Sequence, residues 1–477
     1  MKNKLNLSFI SFLLTLLVIF CLSSCQGKKT DNFPNATPST TQSQTQDSQG
    51  TSTGNTDTGN TDTGNSQTGD SQIGDAGDVD DVGNEDEKSQ TVDLMSGYTS
   101  GTLSTNPINE AFVLNQWRLA LELFKGSNNE SAEGNVLISP LSIQLALAMT
   151  ANGAEGETKS QMERLLGGEY TIDELNAYLK TYVSNLPNEK SSKLNVANSI
   201  WFRKNNFVPN QLFLQTNKDY YDASIYSAPF DKTTLADINN WVNTNTDGMI
   251  KEMLNQIDES SLMYLINAIA FDAEWDEKYS EDSIHKDLFT MENGISCEAE
   301  FMWSTEYAYY ELDNAVGFKK DYKNGKYSFV ALLPNVGVSV NELVDLLSYE
   351  EIINMLNNPD YSRDVMAKMP KFSYEYSLKM NDVLSLLGME RAFDESEAEF
   401  DRIGQADGNI FIGSVLHKTF ISVDEAGTKA GAATIVEVND ECEKNEIEIA
   451  LVRPFMYMII DNVTGLPVFI GTLTSME

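Results

Sequence analysis

The sequence predicts an α+β domain built around a large sheet, and two features of the chain lead to this interpretation. First, short runs of strand-forming residues recur along the C-terminal part of the chain, at 194–202, 262–275, 328–333, 364–372 and 452–473. Second, helical patterns lie between these runs, for example at 235–255 and 378–388. Because helices and strands do not alternate regularly, a parallel α/β fold is disfavoured and a mixed domain of roughly 370 residues is expected.

The composition excludes several kinds of partner and site. The 477-residue chain carries a net charge of −38, which argues against binding to nucleic acid and to anionic membrane surfaces. Four cysteines are too few for a disulfide framework, and they stand at Cys21, Cys25, Cys297 and Cys442. Histidine, cysteine and carboxylate residues do not cluster at ligand spacing, so neither a metal nor another cofactor is expected.

Residues 1–25 have the pattern of a targeting signal. Lys2 and Lys4 precede an apolar run at 9–22, and the run leads into the sequence LSSC, which ends at Cys25. This pattern resembles the lipobox of bacterial lipoproteins, in which the cysteine is diacylated and becomes the mature N-terminus. An ordinary cleaved signal peptide and a short membrane helix are the alternatives, although the run is short for a membrane span. We therefore expect a lipid anchor at Cys25 and a location at the bacterial cell envelope, facing outside the cytoplasm.

Residues 26–104 are of low complexity and contain the near-repeat GNTDT, GNTDT, GNSQT, GDSQI. Thr, Ser, Gln, Asn, Gly and Asp predominate, and few side chains could offset the entropy lost on ordering the segment. We expect a disordered acidic tether here, followed by one folded domain at 105–477.

Two helices open the predicted domain. Apolar residues recur at helical spacing between Val113 and Phe124, which indicates an amphipathic first helix. Ser139 followed by Pro140 is a helix start, because a capping hydroxyl precedes proline at the first helical position. This second helix is apolar on nearly all sides as far as Met149, so we expect it to be buried all round.

The segment from Thr428 to Val438 has an unusual combination of features. Its even-numbered residues are all small or β-branched and uncharged, which is the alternation of a half-buried strand. Gly427, Gly431 and several alanines nevertheless make it a weak strand former. The side-chain pattern of the segment therefore suits a place in a sheet, but its strand propensity is too low to keep it there.

The chain from about residue 108 to residue 474 resembles the serpin family. A single motif of this kind is weak evidence, whereas an ordered set of motifs is specific. The motifs, in family order, are NVLISPLSIQLALAMTANGAEGETKSQM, NSIWF, WVNTNTDGMI, YLINAIAFDAEW, ALLPNVG, AKMPKF, LLGMERAF, VLHKTFISVDEAGTKAGAAT and RPFMYMIIDNVTGLPVFIGTL.

This resemblance implies a serpin fold, in which helices surround a large, mostly antiparallel central sheet and a reactive loop is exposed. It also implies a suicide-substrate inhibitor, expected to be a monomer, rather than an enzyme. A target serine protease, or a cysteine protease, cuts the loop and is held as a covalent acyl complex while the loop inserts into the central sheet as a new strand. A non-inhibitory serpin that acts as a cell-surface binding or folding-accessory protein is the alternative.

The hinge of the implied loop is typical of inhibitory members, because bulky, charged or proline-bearing hinges mark the non-inhibitory ones. Insertion would place the even-numbered side chains over the buried layer of the sheet. Before cleavage we expect the hinge to stay unpaired. The hinge residues implied by the resemblance are Glu425, Gly427, Thr428, Ala430, Gly431, Ala432, Ala433 and Thr434.

Two further groups of residues follow from the resemblance. At the breach, where the loop enters the sheet, Glu425 is expected to pair with Lys371 beside Trp275. At the shutter, where the sheet parts, the implied polar cluster consists of Ser139, Ser142, Asn267 and His417. The only other histidine is His285, and neither histidine lies in a pattern that predicts a hydrolase site.

The sequence locates the reactive bond only to within a few residues. Counting forward from Gly427 by the family spacing places it at Glu441-Cys442, whereas counting back from Pro454 places it near Glu443-Lys444. The candidates for the residue before the cut therefore run from Asp440 to Lys444. An acidic residue before the cut predicts a target protease with a cationic specificity pocket. Cleavage after Lys444, the alternative, predicts a trypsin-like target.

Overall fold

A computed structural model describes the residues at 89–103, 105–131, 134–186, 189–204, 207–258, 261–428 and 445–476. Within these residues no helix is both long enough and apolar enough to cross a membrane. The helices are α1 Glu110–Glu130, α2 Pro140–Ala151, α3 Gly156–Gly167, α4 Ile172–Asn185, α5 Gln211–Tyr221, α6 Lys232–Asn245, α7 Val340–Leu346, α8 Tyr349–Asn357 and α9 Asn381–Leu386.

Helix α2 forms as its sequence predicts. The Ser139 hydroxyl accepts a hydrogen bond from the Ser142 amide at 3.4 Å, and Pro140 occupies the first turn, where its missing N–H leaves no intrahelical bond unmade. Every residue from Pro140 to Ala151 is buried, which confirms the prediction of a helix buried all round. The helix lies against β3 and β6 of the central sheet, so its first turn sits directly behind the centre of that sheet.

Among the described residues, the strands form three main sheets and one short ribbon. In chain order they are β1 Val92–Asp93, β2 Val136–Ile138, β3 Ser192–Arg203, β4 Val208–Pro209, β5 Ser224–Ala228, β6 Met263–Glu274, β7 Ile284–Thr290, β8 Ser296–Glu306, β9 Ala308–Glu311, β10 Ala315–Asp321, β11 Tyr327–Pro334, β12 Arg363–Pro370, β13 Phe372–Lys379, β14 Gly404–Gln405, β15 Ser414–Val423, β16 Gly427–Thr428, β17 Asn445–Ala450, β18 Phe455–Asp461 and β19 Leu466–Leu473.

The central sheet has the strand order β1-β5-β3-β6-β16-β15-β13. Its pairs are antiparallel except for β3 with β5 and β6 with β15. A second sheet, in the order β2-β19-β18-β11-β10-β9, and a third, in the order β17-β12-β8-β7, complete the main framework. The expectation of a mixed α+β fold with a large, mostly antiparallel sheet is therefore confirmed.

The two faces of the central sheet pack against different cores. Odd-numbered residues of β6, such as Leu265 and Phe271, belong to the main core together with α1, α2 and the second sheet. Even-numbered residues, such as Ile266, belong to a smaller cluster that Ile238 and Val242 of α6 cover. A strand at the centre of this sheet therefore has apolar neighbours on both faces.

Several predicted element bounds differ from the structure. The helical pattern at 235–255 ends at Asn245, because Asp247 and Gly248 both adopt positive φ and turn the chain out of the helix. The helical pattern at 378–388 gives only α9. The apolar run at 452–473 is a hairpin, β18 and β19, that reverses at Gly465 with φ of 72°.

The predicted boundary of the tether at residue 104 is wrong for residues 89–103, which pack on the folded domain. Strand β1 pairs with the edge strand β5, and the Leu94 amide donates to the Ile225 carbonyl at 2.9 Å. The Thr91 hydroxyl donates to Asp237 of α6 at 2.6 Å, and Met95 is buried. The composition of this segment does not predict the contact, because any two extended residues with free backbone N–H and C=O groups can add a short strand to the edge of a sheet.

We expect removal of residues 1–103 to speed amide hydrogen exchange in β5, because its edge would lose the backbone bonds of β1. Removal of residues 1–88 alone is the matched control, since it leaves β1 in place. Exchange mass spectrometry on a peptide that covers Ser224–Ala228 measures the effect. Equal protection of β5 in the two truncated proteins would contradict this role for β1.

Candidate functional site

The candidate site is the seam between β6 and β15 at the centre of the main sheet. These strands pair in parallel from Tyr264 with Ser414 to Ile269 with Thr419, and their pairing ends there. Beyond that point the two-residue strand β16 lies between them and is antiparallel to both. The sheet is therefore closed along part of its length and divided by a third strand at one end.

Strand β16 is already in register with the seam. Thr428 is opposite Ala273 on β6 and Val423 on β15. Continuing these two pairings along the strands brings position 434 opposite Asn267 and His417, and these two residues are themselves partners in the seam. A strand that continued from β16 would thus fit between β6 and β15 without either strand sliding.

The hinge differs from the sequence-based expectation that it is unpaired before cleavage. Gly427 and Thr428 are both buried and both paired. The Thr428 hydroxyl and the Tyr322 hydroxyl are hydrogen-bonded at 2.6 Å, which holds the start of the loop inside the sheet. The predicted hinge residues Ala430, Gly431, Ala432, Ala433 and Thr434 lie outside the described residues.

Trp275 connects the end of β6 to the turn that leads into the hinge. Its indole N–H donates to the Asp424 carbonyl at 2.8 Å, and its amide donates to the Ala426 carbonyl at 3.0 Å. Its ring stacks on Tyr322 with centroids 4.4 Å apart. The tryptophan therefore both fills the core and fixes the backbone of the turn between β15 and β16.

The structure brings Lys371 and Glu425 together, with the Lys371 Nζ 2.8 Å from Glu425 Oε2 and 3.3 Å from Glu300 Oε2. Its hydrogen bond to Lys371 lowers the pKa of Glu425. Burial would lower the pKa of Lys371, but its bonds to the two carboxylates outweigh this and raise it. Because the Glu425 side chain is 43% exposed, the pair contributes at most about 1 kcal/mol to stability.

A second ion pair near the breach was missed by the sequence analysis. Lys320 Nζ lies 2.8 Å from Glu306 Oε1, and both side chains are largely buried. The same ammonium lies 4.5 Å from the centroid of the Tyr279 ring and 5.6 Å from that of Trp275. Burial would lower the pKa of Lys320, but the nearby Glu306 carboxylate raises it. No sequence signal points to this pair, because its residues lie on separate strands and meet only through the fold.

The four predicted shutter residues lie together behind the seam. Asn267 donates from Nδ2 to Ser142 Oγ and to Asn198 Oδ1, each at 2.5 Å. Its Oδ1 accepts from Nδ1 of His417, while Nε2 of His417 accepts from the Ser139 amide at 3.1 Å. These contacts connect β6 and β15 to the first turn of α2.

Burial without a compensating anion lowers the pKa of His417 to about 3. The imidazole is therefore neutral, as one donating and one accepting nitrogen require. With both nitrogens engaged and no solvent access, His417 is not available as a general base. His285 is exposed on β7. Among the described residues no group of three histidine, cysteine or carboxylate side chains could hold a metal.

The predicted reactive bond lies outside the described residues, as do Asp440, Glu441, Cys442, Lys444 and the lipidation residue Cys25. The described chain resumes at Asn445, where β17 pairs in parallel with β12 at an edge of the third sheet. The two described ends on either side of residues 429–444 therefore belong to different sheets.

The comparisons with known proteins all match this chain to the same family. Residues 115–476 match the family model described as serpin, serine protease inhibitor. Serpin-Z4 from Hordeum vulgare is 31% identical over 390 residues, 76% of this chain and 96% of that protein. The leukocyte elastase inhibitor of Xenopus laevis is 30% identical, covering 74% and 96%. The crystal structure of the thermophilic serpin Tengpin in its native state is 49% identical with a TM-score of 0.78, covering 81% of this chain and 100% of that one.

We expect the free energy of unfolding to fall by about 1–2 kcal/mol between pH 6.5 and pH 5 through His417 alone. Its folded-state pKa of about 3 lies below the ordinary value of 6.5, so the unfolded chain binds a proton that the folded chain excludes. Stability is thus lost as pH falls through this window. Denaturant unfolding of His417→Gln should show a shallower pH dependence than the wild type, and His285→Gln, at an exposed position, should not. An unchanged slope in His417→Gln would contradict the assignment.

Proposed function

Because the chain belongs to the serpin family, we propose that it inhibits a protease by trapping it during cleavage of residues 429–444. In this mechanism the protease nucleophile attacks the carbonyl carbon of the residue before the cut and forms an acyl-enzyme, which is an ester for a serine protease and a thioester for a cysteine protease. The amine of the following residue leaves with a proton. Insertion of the freed loop between β6 and β15 then carries the acylated protease away from its working geometry before water can hydrolyse the acyl-enzyme.

The observation that carries this proposal is the position of β16. Its two residues already lie between β6 and β15, in the register in which those strands pair with each other. Insertion therefore needs the seam to open but needs no rearrangement of β6 or β15 along the strand direction. A loop that served only as a connection has no reason to start inside the sheet.

The hydrogen bonds favour insertion once the chain is cut. Opening the seam breaks the bonds between six parallel residue pairs, from Tyr264 with Ser414 to Ile269 with Thr419. An inserted strand would form a ladder with β6 and a second ladder with β15. Each additional bond contributes about 0.5–1.5 kcal/mol net, so two ladders in place of one offset the entropy lost by the loop.

The side chains of the loop fit the environments that this register gives them. Even-numbered residues would face the main core. Ala432 would come opposite Ile269 and Thr419, which are both fully buried. Odd-numbered residues would face α6. Ile435 would come opposite Ile266 and Leu416 of the smaller apolar cluster. The uncharged even-numbered face and this apolar partner for Ile435 support insertion in this register.

The shutter controls the opening of the seam in this proposal. Position 434 would come opposite Asn267 and His417, whose hydrogen bond joins the two strands. An inserting strand has to separate these side chains and provide its own polar group, and Thr434 carries a hydroxyl. A buried network that is satisfied before and after insertion lets the sheet open without a lasting unpaired group.

For the target we propose a protease with a cationic specificity pocket, because acidic residues predominate between Asp440 and Glu443. A glutamyl-specific serine protease or a caspase-like cysteine protease has such a pocket. Among the relatives, the leukocyte elastase inhibitor carries a protease inhibitor's name, which supports inhibition in general and not this specificity. The inhibitor acts as a monomer in this proposal, because each loop inserts into its own sheet.

We expect Ala432→Arg to turn the protein from an inhibitor into a substrate, because a charge on the even-numbered face would have to be buried without a partner. Lys429→Arg is the matched control, since it places the same side chain on the opposite face near Asp272. A covalent complex on a denaturing gel with a glutamyl-specific protease measures trapping, and mass spectrometry of the released peptide locates the cut. If wild-type protein is cleaved without forming any complex with a panel of acidic- and basic-specific proteases, a non-inhibitory binding role replaces inhibition.

For location we propose that the protein is anchored to a bacterial cell envelope by lipid on Cys25 and faces outside the cytoplasm. The support is the LSSC sequence after a short apolar run, followed by a long polar segment. Such a tether would keep a bulky protease clear of the membrane and let the inhibitor sample the surrounding volume.

We expect Cys25→Ala to abolish lipidation, because the acyl chain needs the cysteine thiol. Cells grown with a clickable fatty acid should label the wild-type protein and leave the variant unlabelled. Cys21→Ala, within the same apolar run, is the control and should be labelled normally. Labelling of Cys25→Ala at the wild-type level would refute the anchor.

A further inference from the structure

We propose that Asp424 sets the register in which the loop inserts, by holding the turn between β15 and β16 in one conformation. This role rests on the proposed inhibition, because a register matters only if the loop enters the sheet. The turn consists of Asp424, Glu425, Ala426 and Gly427, and it joins Val423 to Thr428, which are paired across it.

The Asp424 carboxylate closes the turn from the inside. Its Oδ1 accepts from the amide of Ala426 at 2.8 Å and from the amide of Gly427 at 3.2 Å. The amide of Asp424 itself donates to the Gly427 carbonyl at 2.9 Å. One side chain thus satisfies two backbone donors that the change of direction leaves without strand partners.

The outward carbonyls of the turn are held by residues that follow β6. The carbonyls of Asp424 and Ala426 accept from the indole and the amide of Trp275. The carbonyl of Glu425 accepts from the amide of Tyr279 at 3.0 Å. Because two inner amides and three outer carbonyls of the turn are bonded, the turn is a fixed pivot in the intact protein and not a loose hinge.

Gly427 shows how closely the turn approaches its neighbour. A Cβ at this position would come within 2.1 Å of the Ala273 carbonyl oxygen and 2.8 Å of the Glu274 Cα. Glycine at this position therefore allows the backbone of β16 to approach β6 as closely as it does. The carboxylate of Asp424, bonded to the Gly427 amide, holds the glycine in that place.

A one-residue error in this turn would be costly, because side chains alternate between the two faces of a strand. Shifting the loop by one position would bring Lys429 and Glu437 to the face that packs on the main core. It would also move Ile435 away from the apolar cluster beside Ile266 and Leu416. An insertion that stalls in the wrong register leaves time for the acyl-enzyme to hydrolyse, so the inhibitor is consumed as a substrate.

The proposed role of Asp424 requires a hydrogen-bond acceptor and does not require a negative charge. Burial raises the pKa of its carboxyl, and the bonds from the amides of Ala426 and Gly427 oppose this. An asparagine side chain offers the same oxygen at the same distance from the backbone. Asp424→Asn should therefore keep the turn, whereas Asp424→Ala removes the acceptor and leaves two amides unsatisfied.

The test measures the moles of full-length inhibitor consumed per mole of protease trapped, using a protease that the wild type traps. For Asp424→Ala we expect this ratio to rise about threefold or more, while the rate at which the loop is cut stays unchanged. Asp424→Asn should behave as the wild type, and Asp424→Ser, with a shorter acceptor, should lie between. Hydrogen exchange at Ala426 and Gly427 in the uncleaved proteins should be faster in Asp424→Ala and normal in Asp424→Asn.

The outcomes separate this inference from the function it rests on. If the wild type traps no protease, the inhibitory function fails and the inference falls with it. If the wild type traps and Asp424→Ala has the same ratio, only the role of Asp424 is overturned. Equal rises in Asp424→Ala and Asp424→Asn would also overturn it, because the acceptor would then not be the operative feature. Should Asp424→Ala fail to fold, the comparison of Asp424→Ser with Asp424→Asn decides.

Discussion

The parallel pairing of β6 with β15 is the constraint on which the rest of the structure depends. Two long strands at the centre of a sheet pair over only part of their length, from Ser414 to Thr419 on β15. Parallel pairing is slightly less stable per residue than antiparallel pairing, and here it ends where a third strand begins. The sheet therefore has a line of less stable pairing at its centre, and the short strand β16 lies at one end of that line.

The polar groups along this line have different environments. Within the paired stretch, the hydrogen bonds of Asn267 and His417 are fully buried and tie both strands to α2. At the divided end, the pair of Lys371 with Glu425 is partly exposed and weak, whereas the Lys320–Glu306 pair beneath Trp275 is largely buried. The buried contacts fix positions, and the exposed pair can be exchanged at little cost.

Two further strands lie at sheet edges, one in the central sheet and one in the third sheet. At one edge β1 adds a short strand from residues outside the predicted domain and so covers part of β5. After the undescribed residues at 429–444, the chain re-enters the third sheet through β17, at the edge next to β12. A chain that leaves from the centre of one sheet and returns to the edge of another is anchored at both ends.

The sequence alone determined the family, the fold class, helix α2 with its cap, and the alternation from Thr428 to Val438. These features are local patterns or ordered motifs, so they can be read along the chain. Only the tertiary structure decided that Gly427 and Thr428 are already seated in the sheet, that Val92 and Asp93 join its edge, and that Lys320 pairs with Glu306. Each of these depends on strands far apart in sequence meeting in one register, and a register between distant strands is fixed by packing and backbone pairing that no local pattern encodes.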